Sequence, residues 1–156
     1  MKKFWITICL ILITSNALAW KGKVVKIADG DTITVLTEDK EQVRVRLYGV
    51  DSPESKQEFG TKAKDFTAKF CFGKTVDINT IDKDRYGRHV GKVIVDGTEL
   101  NTNLVQNGFA WVYSQYCKDF LYCAKLQALE LQARSSGTGL WADKNPTPPW
   151  NFRKKK

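Results

Sequence analysis

Five short apolar or alternating segments, with a long amphipathic segment after the third of them, predict an α+β (mainly β) domain. These segments fit a small five-stranded OB-fold Greek-key barrel with about three helices. Turn-forming residues separate the segments, and no internal repeat or long linker divides the chain. We therefore expect one domain with its own hydrophobic core.

The first two strands are predicted at Lys23–Ala28 (KVVKIA) and Thr32–Thr37 (TITVLT), which are rich in β-branched residues. The three residues between them, Asp29, Gly30 and Asp31, form a sequence that is typical of tight hairpin turns. We therefore expect the two strands to pair antiparallel, with Asp31 at the start of the second strand.

The third strand, Gln42–Tyr48 (QVRVRLY), alternates apolar and polar residues. Because successive side chains of a strand point to opposite faces, one face should be mainly apolar and the other mainly basic. The apolar face would carry Val43, Val45 and Leu47, and the other face would carry Arg44, Arg46 and Tyr48.

Three helices are predicted beyond the third strand. Gln57–Phe72 carries apolar residues near helical spacing, and Gly73 is expected to end it. Leu100–Gln106 is predicted as a short helix. Lys118–Arg134 is predicted as a long helix with Leu121, Leu126, Leu129 and Ala133 at core positions.

The fourth and fifth strands are predicted at Thr75–Ile81 and His89–Val95, with the turn DRYG before the fifth. Phe109–Tyr113 (FAWVY) is predicted as a buried extended segment. The tail NPTPPWNFRKKK is rich in proline and then basic, and we expect it to be mobile at its end. The predicted domain therefore spans residues 20–150, followed by a basic C-terminal tail at 151–156.

Residues 1–19 have the three-part layout of a cleaved secretory signal peptide. Lys2 and Lys3 give a basic start, an apolar run of ten residues follows, and Ala17-Leu18-Ala19 is a small-residue cleavage site. The alternative is a membrane anchor, but the apolar run is too short to span a bilayer. We therefore expect a secreted protein, most simply a periplasmic one, with release to the medium as the alternative.

The predicted mature chain is basic. Without Lys2 and Lys3, the 25 lysines and arginines fall to 23 against 17 acidic residues, which gives a net charge of +6. A small exported protein with this balance favours polyanions such as nucleic acid, anionic lipid or acidic glycans. Charge alone does not choose among them, although OB barrels commonly bind nucleic acid on one face.

Three cysteines remain after the predicted signal: Cys71, Cys117 and Cys123. Export permits disulfides, and we expect Cys117 and Cys123 to pair because they are close in sequence. Cys71 would then be buried at the end of a helix. The alternative is that all three are reduced. With a single histidine and no set of four cysteines in metal spacing, a zinc site is not expected.

The stretch VRLYGVDSPE combines Arg46 with two acidic residues, Asp51 and Glu54, where a strand leaves the sheet. Taken alone, DSPE is an ordinary helix start and Arg46 an ordinary solvated strand residue. A bulge at Gly49 would switch side-chain parity and bring Asp51 to the face of Arg46, where Asp31 is also expected. Two carboxylates beside arginines suit a hard cation together with a phosphate.

Three motifs, IADGDTI, VRLYGVDSPE and DRYGRHVGKV, occur in an order and at spacings similar to those of the staphylococcal nuclease (thermonuclease) family. GFAWVY, GLW and PPWNFR resemble its secreted bacterial members. The resemblance covers roughly Val24 to Trp150. It implies an OB-type barrel, hydrolysis of DNA and RNA that depends on one calcium ion, and products ending in 3′-phosphate.

The resemblance also implies a role for each matching residue. The metal ligands would be Asp31 and Asp51, with the backbone carbonyl of Ser52 and with Asp29 nearby. Glu54 would be the catalytic glutamate, and Arg46 and Arg88 the phosphate-binding arginines. Tyr86 matches the tyrosine of the nucleotide pocket. The segment after Glu54 is several residues shorter than in the founding enzyme, so contacts made by that loop do not transfer, and the founding enzyme lacks Cys117 and Cys123.

The chemistry fits these residue types. Glu54 would orient or deprotonate an attacking water. Arg46 and Arg88 would stabilise charge on the phosphate, and the very high pKa of arginine makes Arg88 an electrostatic group and not a general acid. His89 is expected to be a structural residue, because a histidine-pair mechanism needs a second histidine. Trp111 and Tyr113 are expected in the core, which leaves Tyr86 as the better base-stacking candidate.

Two other function classes stay open from the sequence. A non-catalytic OB-fold protein that binds single-stranded nucleic acid would explain the charge, the fold and the aromatic residues, but it would not require all five charged site residues. A structural exported protein would explain only the fold. We expect a monomer with no stable protein partner and no membrane attachment after signal cleavage, because no extra apolar stripe stands out. The preference between DNA and RNA is not predicted.

Overall fold

The structure of the chain is a computed structural model that describes residues 19–154. The predicted signal peptide therefore lies outside the described residues, except for Ala19. Within this range no helix is both long and apolar enough to cross a bilayer.

The described chain contains eight strands and four α-helices. The strands are β1 (Ala19–Asp29), β2 (Thr32–Leu36), β3 (Gln42–Leu47), β4 (Val50–Asp51), β5 (Thr75–Lys83), β6 (His89–Val95), β7 (Thr98–Glu99) and β8 (Trp111–Val112). The helices are α1 (Gly60–Cys71), α2 (Leu100–Gln106), α3 (Phe120–Ser135) and α4 (Pro149–Lys154), and short 3₁₀ turns lie at Ser114–Tyr116 and Gly139–Ala142.

Five strands close into a barrel. The sheet order is β3-β2-β1-β5-β6-β7, and β3 also pairs with β6, so the two ends of the sheet meet. The closing β3–β6 pair is parallel, whereas the other barrel pairs are antiparallel. This mixed five-stranded barrel confirms the predicted OB-type fold, and its parallel pair places the end of β3 beside the start of β6.

The barrel interior is filled by branched aliphatic side chains that alternate along the strands. Val45 and Leu47 of β3 are buried, as the alternation predicts, and Val43 packs against the same core from a half-buried position. The fully buried residues of the other barrel strands are Val24, Ile33, Val35, Val76, Ile78 and Val93. Leu104 of α2 and Leu126 of α3 belong to the same cluster, so these helices cover one part of the barrel. Leu121, predicted in the core, is instead 78% exposed.

Helix α1 begins at Gly60, three residues later than the predicted start at Gln57. Phe59 has a left-handed backbone (φ 63°), which a helix cannot contain, so the residues before it form turns. The turns between Asp51 and Gly60 hold the main chain of Glu54, and Gln57 N–H donates to the Glu54 carbonyl at 2.8 Å. Phe59 stands four residues before Ala63, so apolar spacing alone includes it in the helix.

The tail differs from the sequence prediction, which placed no element there. Residues Pro149–Lys154 form helix α4. The Trp150 ring stacks on Tyr113 at 5.1 Å between ring centres and meets Trp111 edge-on at 5.7 Å. Residues 155–156 lie outside the described residues, so the mobility expected at the end of the tail stays a prediction.

Cys117 and Cys123 form a disulfide, as the sequence predicts. Cys71 is a free cysteine, fully buried at the last residue of α1. Burial raises the pKa of the Cys71 thiol to about 12, so it is a packing residue and not a reactive thiol.

Candidate active site

Gly49 brings two charged residues of one chain segment together. Arg46 is near the end of β3, and Asp51 is the second residue of β4. Between them Gly49 has a left-handed backbone (φ 75°), and a Cβ there would lie 3.0 Å from Cys117 Sγ. Glycine alone meets both conditions comfortably, and the resulting turn returns the Asp51 side chain to Arg46.

Asp31 arrives from the neighbouring hairpin. Thr32 pairs with Arg46 in the β2–β3 register, so the residue before it lies beside the Arg46 side chain. Asp31 N–H donates to Asp29 Oδ1 at 3.1 Å, which stabilises the turn. The Thr67 hydroxyl of α1 donates to the Gly30 carbonyl and fixes the same turn against the helix.

Arg46 joins the two aspartates. Its Nη1 lies 2.7 Å from Asp31 Oδ1 as an ion pair, and its Nη2 donates to Asp51 Oδ1 at 2.8 Å. The three side chains are 14%, 5% and 2% exposed for Arg46, Asp31 and Asp51. Charges so deeply buried are costly unless they are paired, so the guanidinium is what keeps both carboxylates in place.

Burial and neighbouring charges shift the pKa values of this cluster. Burial raises the pKa of Asp31 well above its ordinary value, and the negative charges of Asp29 and Asp51 raise it further, although Arg46 opposes them. Burial lowers the pKa of Arg46, but the adjacent Asp31 and Asp51 outweigh burial and raise it overall. The shift of Asp31 thus reflects mainly its burial, and the shift of Arg46 reflects its pairing with two aspartates.

Ser52 lies directly against the same cluster. Its backbone N–H donates to Asp31 Oδ2, and its buried hydroxyl has no hydrogen-bond partner among the described residues. A Cβ at Gly30 would lie 2.7 Å from that hydroxyl, so the two chain segments are in close contact. Ser52 follows Asp51 in the chain and contacts Asp31, so its carbonyl, the predicted metal ligand, lies at the junction of the two segments that carry the aspartates.

Glu54 reaches the cluster through an arginine that the sequence analysis missed. Arg153 of α4 donates from Nη1 to Glu54 Oε1 at 2.7 Å and from Nη2 to Asp51 Oδ2 at 2.7 Å. A weaker contact of 3.2 Å joins Arg153 Nη1 to Asp51 Oδ1. The hydrogen bonds to Asp51 raise the pKa of Arg153 most, so it stays charged.

Arg88 and Tyr86 form a second group, organised by Asp84. Arg88 Nε lies 2.6 Å from Asp84 Oδ2, while the backbone N–H groups of Tyr86 and Arg88 donate to Asp84 Oδ1 at 2.9 and 3.0 Å. Burial raises the pKa of Asp84, but these hydrogen bonds outweigh it and lower the pKa overall. The Tyr86 ring is 64% exposed, and the guanidinium groups of Arg85 and Arg88 lie 4.9 and 5.5 Å from its centre.

The structure thus joins four predicted site residues through ion pairs, directly or through Arg153: Asp31, Arg46, Asp51 and Glu54. The backbone N–H of Ser52 contacts the same cluster at Asp31. Within residues 19–154, no direct hydrogen bond or ion pair joins Arg88 or Tyr86 to this set. The barrel still places them close by, because His89 pairs with Val45, next to Arg46.

His89 has a structural environment. Its Nδ1 lies 3.2 Å from the Thr80 hydroxyl, and its ring packs edge-on against Trp20. Partial burial lowers its pKa, and the charge of Lys83 lowers it further. Trp111 is buried and Tyr113 is half-buried against Trp150, so neither offers a free stacking face.

The residues fit a calcium ion. No group of three or more His, Cys, Asp and Glu side chains in the described chain is arranged to hold a metal. However, Asp31 and Asp51 are hard oxygen donors close enough to share one cation, since Arg46 contacts both. Calcium accepts such a pair when carbonyl and water oxygens complete its shell.

The sequence analysis missed Arg153 and Gln57. Gln57 accepts from Glu54 N–H at 3.1 Å and donates to the Thr147 carbonyl, so it links the Glu54 loop to the segment before α4. A signal for Arg153 was present in PPWNFR, where Trp150 and Arg153 are three residues apart and share one side of a helix. Its position in a run of basic residues made it look like part of a solvated tail.

Comparison with known proteins gives matches over most of the chain. A family model described as "Staphylococcal nuclease homologue" matches residues 44–143. An "Uncharacterized endonuclease" of Escherichia coli O157:H7 is 42% identical over 136 residues, which cover 86% of each chain. A "Micrococcal nuclease" of Shigella flexneri is 37% identical over 156 residues, covering 92% of this chain and 88% of its own.

Proposed function

The chain belongs to the staphylococcal nuclease family, and we propose that it is a secreted, calcium-dependent enzyme that hydrolyses DNA and RNA to 3′-phosphate products. Family membership and relatives named as nucleases support the phosphodiester hydrolase activity. The observation that carries the finer proposal is the buried Asp31–Arg46–Asp51 cluster with Glu54 at its edge.

Asp31 and Asp51 would hold the calcium ion, together with the Ser52 carbonyl and water oxygens. When bound, calcium polarises the phosphoryl oxygens and neutralises the charge that grows on them. The charges of the site support this assignment: four acidic side chains, Asp29, Asp31, Asp51 and Glu54, face only two guanidinium groups.

Arg46 and Arg88 would bind the phosphate. A guanidinium presents paired N–H donors that match two phosphate oxygens, and this match stabilises the transition state most because the negative charge is then greatest. Asp84 holds the Arg88 side chain in its place at the start of β6. Tyr86, exposed next to Arg88, would stack on the base of the bound nucleotide.

Glu54 would act on the attacking water. Its carboxylate is partly exposed, and only Oε1 has a hydrogen-bond partner among the described residues, so Oε2 can accept a proton from water. The water oxygen attacks phosphorus, and the bond from phosphorus to the 5′-oxygen breaks. The 5′-oxygen takes a proton from solvent, which leaves a 3′-phosphate on one product and a 5′-hydroxyl on the other.

A location outside the cytoplasm is supported by two features. The first 19 residues have the signal-peptide layout, and the Cys117–Cys123 disulfide is a bond that oxidising compartments favour. We propose the periplasm as the working compartment.

The proposal is tested by digestion of denatured DNA and of RNA with calcium and with excess chelator. Cleavage should need calcium, and the products should become primers for a polymerase only after phosphatase treatment. Asp51→Asn should lose calcium binding in calorimetry and lose cleavage. Asp77→Asn is the matched control, because the one side-chain contact of Asp77 within residues 19–154 is a surface ion pair with Lys21.

Full wild-type cleavage in chelator, or full calcium-dependent cleavage by Asp51→Asn, would contradict the metal assignment. If the wild type binds single strands tightly but cleaves neither nucleic acid, the non-catalytic binding protein is the better description.

A further inference from the structure

Arg153 of helix α4, near the C-terminal end of the described chain, places its guanidinium in the candidate active site. Arg153 bridges Glu54 and Asp51, which are 99 and 102 residues away in sequence. Its side chain is 40% exposed, whereas the Asp51 side chain is 2% exposed. Arg153 also lies ten residues beyond the last residue matched by the family model, which ends at 143.

The placement of Arg153 is fixed by the packing of its helix. Trp150 lies face to face with Tyr113, with an angle of 9° between the rings, and edge-on to Trp111. Pro149, the first residue of α4, is buried. Arg153 is one helical turn from Trp150, so the same helix side that packs on the protein also presents the guanidinium.

The Glu54 side chain depends on the contact with Arg153. Apart from that contact, the described hydrogen bonds of Glu54 involve only its main chain. Its N–H donates to Gln57 Oε1 and its carbonyl accepts from Gln57 N–H. Glu54 lies in neither a helix nor a strand. Among the described residues, Arg153 is the single hydrogen-bond partner of the Glu54 carboxylate.

We propose that Arg153 is a positioning residue of the nuclease: it orients the Glu54 carboxylate toward the attacking water by clamping it to the buried Asp51. This inference rests on the function proposed above. Because reaction rate depends steeply on the placement of the catalytic group, a shift of about 1 Å can cost about 10²-fold in rate. Asp51 is buried and accepts from Arg46 as well, so the Arg153 guanidinium ties the Glu54 carboxylate to a side chain that is itself held in place.

The contact between Arg153 and Asp51 should favour catalysis but weaken calcium binding. A positive charge at hydrogen-bond distance from Asp51 repels any cation that binds the same carboxylate. Loss of the Arg153 charge should therefore tighten calcium binding while it slows catalysis. A merely structural role cannot produce this pair of changes, because a damaged fold would weaken both.

The experiment compares Arg153→Ala, Arg153→Lys and the control Lys154→Ala in the otherwise intact protein. Lys154→Ala removes one positive charge from the same helix, and Lys154 makes no hydrogen bond or ion pair with the described residues. The measurements are kcat and KM on single-stranded DNA at saturating calcium, the calcium dissociation constant by calorimetry without nucleic acid, and the melting temperature.

Arg153→Ala should lower kcat by about 10- to 100-fold with KM changed less than about threefold. Its calcium dissociation constant should fall by about 3- to 30-fold, because a nearby like charge is removed. Arg153→Lys keeps the charge but cannot make the double contact, so kcat should fall while calcium binding stays near that of the wild type. Millimolar methylguanidinium should restore part of the activity of Arg153→Ala and none to Lys154→Ala.

The inference is overturned if Arg153→Ala and Lys154→Ala have the same kcat, or if Arg153→Ala raises KM alone, which would indicate a direct phosphate contact. If Arg153→Ala fails to fold, Arg153→Lys decides the question by its kcat at unchanged calcium affinity. An inactive wild type would instead contradict the proposed nuclease function, so the two failures are distinguishable.

Discussion

Arg46 shows how one residue serves two states of the site. In the structure both of its terminal nitrogens contact aspartates that we assign to calcium. A metal ion between those aspartates would take over their neutralisation, which would leave the guanidinium fork available to phosphate oxygens. Because Arg46 is buried and its partners are fixed by β2 and β4, the reorganisation would be confined to one side chain.

Substitution by lysine of the two arginines that we propose to bind phosphate tests the catalytic assignment. Arg46→Lys and Arg88→Lys keep the charge but lose the planar fork, so kcat should fall severely. A comparable arginine in phosphoryl transfer is worth about 10³–10⁵ in rate. Affinity for single-stranded DNA should fall much less, since many other lysines share the backbone contacts.

The measurement is kcat and the dissociation constant for the wild type and both variants. Near-normal kcat with weakened binding in both would contradict the catalytic assignment and favour a binding module. Arg44→Lys is a suitable control, because Arg44 lies on the same strand two residues away from Arg46.

At the scale of elements, the start of α3 is tied to the end of β3. The Tyr48 hydroxyl accepts from the backbone N–H groups of Lys118 and Asp119 at 2.6 and 3.0 Å. The Cys117–Cys123 disulfide lies in the same region, and Cys117 packs against Gly49, the residue that redirects the chain toward Asp51. The covalent link therefore supports the turn on which the candidate site depends.

Removal of the disulfide should lower stability moderately. The bond closes a loop with a sequence separation of 6, so chain entropy predicts a loss of about 2–3 kcal/mol in the free energy of unfolding for Cys117→Ala with Cys123→Ala. Denaturant unfolding of this variant, the wild type and the reduced wild type provides the measurement. The reduced wild type should match the variant.

The pairing itself can be checked by mass spectrometry of the unreduced mature protein. Material from the oxidising compartment should contain the Cys117–Cys123 bridge and one free thiol, at Cys71. Free thiols at both Cys117 and Cys123 in that material would contradict the bridge.

At the scale of the whole molecule, the net basic charge acts over long distances on binding partners and does not determine the barrel fold. The net charge of +6 expected after signal cleavage attracts polyanions to any face, whereas the charged cluster at the barrel edge defines where cleavage would occur. The contribution of the net charge to nucleic-acid affinity can therefore be measured separately, by varying the salt concentration.

Affinity for single-stranded DNA should weaken steeply with salt. An OB fold contacts at least about 4 nucleotides, and each neutralised phosphate contributes about −0.7 to the slope of log affinity against log salt. We therefore expect a slope of about −3 or steeper, measured in chelator with Glu54→Gln to prevent cleavage. An uncharged peptide nucleic acid of the same sequence should bind weakly, and a slope near zero for DNA would contradict electrostatic binding.

The amino-acid sequence by itself determined the barrel strands, the disulfide and much of the charged cluster. Alternation in QVRVRLY fixed which side of β3 is buried, and the turn sequence DGD fixed the first hairpin, because both are local physical constraints. The position of Gly49 between Arg46 and Asp51 was enough to predict that the parity of side chains changes there.

Only the tertiary structure decided which distant groups meet. Asn101 of α2 donates to the Tyr48 and Gly91 carbonyls, and Arg153 of α4 reaches Glu54, although no local pattern identifies the distant partner in either contact. Such contacts depend on how helices pack on the closed barrel, and packing combines side chains that are far apart in sequence. The sequence therefore predicted the acidic and basic residues of the site, while the fold added the arginine that connects Glu54 to the buried cluster.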